Sequence, residues 1–149
     1  MNLTEQQLQI IREVNASWNE KIRYMTDEAL HGFKEYWTFP HIVDGGYQGD
    51  CEDYAIAKKQ TLIKEHDIAC YFATCWCFPN KEGYHAVAIV PSQIGIIVLD
   101  NRYKILRLAK NMEYDWHSME VKNNKWVHFK DRTPAEPPRG YVEMFNRVR

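Results

Sequence analysis

Gly49-Asp50-Cys51-Glu52-Asp53-Tyr54-Ala55-Ile56-Ala57-Lys58 is the stretch on which the reading of this chain turns. A glycine breaks the preceding segment, aspartate is a favoured N-cap, and the apolar-periodic run from 54 to 63 predicts a helix. Cys51 therefore falls in the first helical turn. Unpaired N–H groups and the positive end of the helix dipole lower a thiol pKa there and can donate to an oxyanion.

Further along stand Tyr84-His85-Ala86-Val87 and Leu99-Asp100-Asn101. The alternating run from 84 to 90 predicts a strand that would hold His85 rigidly, and Asp100 ends a second strand, from 94 to 99. A cysteine, a histidine and an aspartate in that order are the parts of a thiolate–imidazolium–carboxylate site: Cys51 as nucleophile, His85 as base, Asp100 fixing the imidazole tautomer. Each residue also has an ordinary use. Cysteine packs as a small core residue, a histidine bonds backbone, and Asp-Asn after a strand is turn chemistry.

The acids around Cys51 pose a problem. Asp50, Glu52 and Asp53 crowd negative charge about a thiol that must itself become negative, and like charges raise its pKa. A hard cation would resolve this, since several carboxylate oxygens are what calcium selects. Asp50 as N-cap and Asp53 at the third helical position also form a reciprocal capping pair that needs no metal. Trp37 and Gln48 are candidate oxyanion donors, through an indole N–H and a side-chain amide.

Outward from the cysteine block, the predicted order is helices first and sheet second. Thr4 and Gln7 make a capping box, and Leu8, Ile11, Val14 or Asn15, Trp18 and Ile22 repeat at helical spacing. Thr26 or Asp27 opens a short second helix, and Gly45-Gly46 marks a loop leading to Asp50. Strands are expected at 68 to 78, 84 to 90 and 96 to 99, adjacent and antiparallel, with a hairpin formed by 116 to 121 and 126 to 129. The segment from 134 to 140 is expected to be irregular and superficial.

One domain spanning 1–149 accounts for a chain that is 45% hydrophobic and 13% aromatic, which argues against disorder. The net charge of -1, with basic residues spread along the chain, gives no nucleic-acid footprint. No apolar run approaches the roughly 20 residues of a membrane span. Met1 to Gln7 lacks the basic and apolar regions of a secretion signal, and four cysteines without a Cys-x-x-Cys pair favour reduced thiols over zinc. A cytoplasmic location is the expectation.

The run from Val14 to Asn101 resembles the bacterial transglutaminase-like cysteine proteinases, the family that includes the periplasmic protease releasing biofilm adhesins. Val14-Asn15, Trp18-Asn19, Ile22-Arg23-Tyr24, Asp27, Leu30 and Tyr36-Trp37 carry the likeness, together with the Gly49–Lys58 block, His85-Ala86-Val87 and Leu99-Asp100-Asn101. The resemblance implies a papain-like α+β fold and the nucleophile, base and orienter named above. It also implies calcium, held by Asp50 and Glu52 with Asp53 as a further ligand. The expected activity is peptide hydrolysis through a thioester acyl-enzyme, on a protein or peptide substrate. Acyl transfer (a transglutaminase), a peptidoglycan amidase, or a non-catalytic binding module of a phage or mobile element are the alternatives.

Overall fold

Both predicted caps are present. In the computed structural model, which describes residues 2–25, 40–43, 46–142 and 144, Thr4 and Gln7 form the capping box of α1 (Glu5–Lys21). Asp50 and Asp53 do the same for α2 (Cys51–His66), which ends at Asp67 in the left-handed conformation. Each box satisfies two N–H groups that a helix start leaves unpaired. The helix predicted at Thr26 or Asp27 lies outside the described residues.

The first helix stops one residue short of the predicted stripe. Ile22 opens β1 (Ile22–Tyr24), which runs parallel to β3 (Gly46–Gly49), and β2 (His41–Val43) closes this small sheet on the other side of β3. Gly46 is thus a strand residue rather than part of a loop. The side chain of Tyr54 donates to Ile22 O at 2.8 Å and fastens the small sheet to α2.

Six antiparallel strands form the main sheet, in the order β7-β6-β5-β4-β8-β9. They are β4 (Tyr71–Phe78), β5 (Glu82–Ser92), β6 (Gly95–Leu99), β7 (Arg107–Leu108), β8 (Asp115–Val121) and β9 (Lys125–His128). The predicted β4, β5 and β6 neighbours are adjacent. The predicted late hairpin joins the far edge of β4, its connection a short 3-10 turn over Lys122–Asn124. Asn80 and Lys81 both take positive φ, which matches the twist of the tight β4–β5 turn.

Side chains alternate across this sheet. Ala86, Ala88 and Val90 of β5 face a core shared with Ile11, Ala55, Ile56 and Leu62 of the two helices. Val87 and Ile89 face the opposite layer, with Ala73, Val98 and Met119. The segment from 134 to 140 lies near the surface as expected, but the turn after it returns: Tyr141 and Met144 are buried against the helical core. Tyr141 donates to the buried Glu120 carboxylate, which also receives Lys59 Nζ at 2.6 Å.

Candidate active site

The site forms where β6 runs out. Its last residue, Leu99, pairs with Ala88, so the Ala86 portion of β5 has no β6 neighbour. The first turn of α2 approaches that gap, and the Ala86 N–H donates to Cys51 Sγ. Gly49 permits the approach: a Cβ there would come within 2.6 Å of the Asp53 side chain, so any other residue would displace the capping carboxylate.

His85, one residue before Ala86, points across the end of β6. Its Nε2 lies 2.8 Å from Asp100 Oδ1, and both side chains are buried. The carboxylate is held from several sides. Arg102 N–H donates to Oδ1 at 2.9 Å, and Tyr114 Oη donates to Oδ2 at 2.5 Å. Asn19 of α1 donates to the backbone carbonyls of Asp100 and Tyr103, each at 3.0 Å, tying the turn to the helix. Burial opposes ionisation of Asp100, yet the bonds from His85, Tyr114 and Arg102 outweigh it and hold the carboxyl below its ordinary pKa.

The thiol is in the opposite condition. Burial pushes Cys51 well above its ordinary pKa, and the Glu52 and Asp50 carboxylates push it further; the Ala86 N–H pulls the other way. Its hydrogen is directed at Glu52 Oε2, 3.4 Å away. The structure therefore joins His85 to Asp100 directly and seats the cysteine on the backbone beside His85.

Asp50, Glu52 and Asp53 are all buried. Asp50 and Asp53 exchange capping bonds with each other's N–H groups. Among the described residues no three His, Cys, Asp or Glu side chains converge on a point that would hold a metal. The acids supply hard oxygen donors without completing a cage. Gln48 is buried in the middle of β3 rather than in a loop, three residues before Cys51, and Trp37 lies outside the described residues.

Three features escaped sequence reasoning. Tyr114 reaches Asp100 from a distant segment with no local signal, and Asn19, though part of the Trp18-Asn19 likeness, has no role assigned by it. The third is Cys77, half-buried on the same sheet face as Cys75. A hydrogen bond from Cys75, with help from the His85 and Arg102 charges and against burial, lowers its thiol pKa to about 6. Cys75 itself is buried and held protonated. The period-2 spacing of Cys75 and Cys77 was the available clue.

No curated protein matches the sequence. Among solved structures, EGTA-treated LapG of Legionella pneumophila is similar at TM-score 0.71 and 23% identity, covering 97% of this chain and 79% of that one. Calcium-bound LapG gives TM-score 0.69 and 24% identity, covering 97% and 80%. At such identity the likeness establishes the α+β fold. The sequence profile described as bacterial transglutaminase-like cysteine proteinase matches residues 1–134, and the chain belongs to that family of cysteine peptidases.

Proposed function

We propose that this peptidase works through Cys51, His85 and Asp100. One observation carries the reading: a buried 2.8 Å His85–Asp100 bond lies beside a thiol seated on the next residue's N–H. An ionised Asp100 accepts from Nε2–H, which leaves Nδ1 as the bare nitrogen that takes the Cys51 proton. Sγ then attacks the scissile carbonyl carbon, His85 returns the proton to the departing amine, and water hydrolyses the thioester. First-turn N–H groups of α2, with Gln48 or Trp37, would stabilise the oxyanion.

The hostile charge about Cys51 supports a role for calcium. Bound by Asp50 and Glu52, with Asp53, the ion would neutralise the carboxylates that hold the thiol protonated. The calcium-bound and EGTA-treated forms of LapG, a structural relative, favour the same reading. The four free cysteines fit a reducing compartment.

The test is hydrolysis of a mixed peptide library, in a Cys77→Ser background so that this low-pKa thiol contributes no activity of its own. Cys51→Ser should lose roughly 10⁴-fold or more of the activity, EGTA should suppress it, and an added amine should not divert the product. Retained hydrolysis in Cys51→Ser would end the assignment. An amide product with added amine would make the enzyme an acyl transferase.

A further inference from the structure

Asp100 has two carboxylate oxygens, and the structure gives them different partners. Among the described residues, Oδ1 takes His85 Nε2 and the Arg102 N–H, while Oδ2 takes only the Tyr114 hydroxyl, at 2.5 Å. Tyr114 touches the other half of the pair as well. Its ring meets the His85 ring edge to face, with centroids 5.7 Å apart. It lies just before β8, whereas His85 and Asp100 sit on and after the strands at the other side of β4.

We propose that Tyr114 is a positioning residue for the base: its hydroxyl locks the rotation of the Asp100 carboxylate so that Oδ1 faces His85 Nε2, and its ring fixes the imidazole plane. The idea rests on the proposed role of the His85–Asp100 pair and adds a member that touches neither substrate nor thiol.

The chemistry favours this direction. Arg102 Nη1 lies 3.5 Å from Tyr114 Oη and its guanidinium sits 5.8 Å from the ring centroid, so the cation covers the oxygen lone pairs and turns the hydroxyl proton toward Asp100. A carboxylate bonded through one oxygen only can swing about its Cβ–Cγ bond, whereas one bonded through both cannot. The other charged or titratable groups that face Asp100 are Lys58 of α2 and Cys75 of β4. Neither donates a hydrogen bond to it. Burial and the Asp100 charge keep Tyr114 protonated, so it remains a donor throughout the working pH range.

Tyr114→Phe keeps the ring and removes the hydroxyl. The decisive readout is the ¹⁵N spectrum of neutral His85, assigned by its loss in His85→Gln. Wild type should show a protonated Nε2 and a bare Nδ1. In Tyr114→Phe the two signals should move toward one another as tautomers mix, and kcat should fall roughly 10- to 100-fold with KM within about twofold. Unchanged ¹⁵N signals would overturn the proposal, whatever happens to kcat. So would a joint loss of kcat and Tm with the tautomer preserved, which marks a purely structural tyrosine. If wild type hydrolyses no peptide, the functional assignment fails while the tautomer measurement still decides on Tyr114. Should Tyr114→Phe not fold, site-specific 3-fluorotyrosine at 114, a stronger donor of the same shape, should shift the His85 Nε2–H resonance. No shift would be a refutation.

Discussion

The two halves of the site are built on opposite electrostatic terms. Around His85 the hydrogen bonds converge: Asp100 is held ionised against burial, its turn is clamped by Asn19, and Tyr114 closes its second oxygen. Around Cys51 burial and the acidic side chains resist, against the Ala86 N–H. Burial, Glu52 and Asp50 all favour the neutral thiol, whose hydrogen points at Glu52. Under the proposed mechanism the base would thus be prepared in the folded chain, while the nucleophile would await a change in its own surroundings. In that mechanism activation would belong to the α2 N-terminus and orientation to the sheet.

Asp100→Asn attacks the prepared half and should have the largest effect. The amide can donate to Nε2 and stabilise the wrong tautomer, so kcat should drop about 10³- to 10⁴-fold while the fold persists. Steady-state kinetics with circular dichroism checks this. A loss below tenfold would show that the sheet side contributes little.

Lys58 sits between the halves, on the Cys51–Ala55–Lys58–Leu62 stripe of α2. Its ammonium is fully buried, has no hydrogen-bond partner among the described residues, and lies 5.7 Å from the Tyr54 ring centroid. Burial lowers its pKa from 10.5 to about 7, although the Asp100 charge opposes this. Between those values the unfolded chain binds a proton that the folded chain has released, so stability rises with pH from about 7 to 10.5. Below pH 7 the folded lysine is charged and the full cost remains. Lys58→Met should stabilise the protein at pH 7 by on the order of a few kcal/mol and flatten that rise. Urea unfolding at pH 6, 8 and 10 measures it. A slope equal to wild type would show that the ammonium reaches solvent or a partner after all.

How far the sequence disclosed this arrangement depended on distance along the chain. Asp50 and Asp53 form a capping box within four residues, so the helix start and the placement of Cys51 were legible, as was the β5 strand carrying His85. The β1-β3-β2 sheet was not. Its strands are three or four residues long, too short for a period, and β1 pairs with β3 across a separation of about two dozen positions without a local turn signal. Tyr114 failed for the same reason: only the placement of β8 beside β4 carries it to Asp100. Ile22 fitted the helical stripe of α1 equally well as an apolar strand residue, and tertiary packing decided for the strand.

The smallest expected effect is also the one that separates the two explanations of the acidic cysteine turn. Without calcium, the Glu52 carboxylate accepts the thiol hydrogen and, with burial, holds the Cys51 pKa up. Glu52→Gln removes the charge but preserves the shape, so in EGTA its thiol should titrate at lower pH than wild type. Each unit of that fall raises the thiolate fraction at neutral pH about tenfold. Alkylation of Cys51 in the Cys77→Ser background follows it directly. With calcium present the order should invert if Glu52 is a ligand, because wild type then gains a neutralising cation that the glutamine variant holds poorly. A variant that labels faster than wild type under both conditions would leave Glu52 as a brake on the thiol alone. One that labels more slowly in EGTA would contradict the electrostatic account of Cys51 itself.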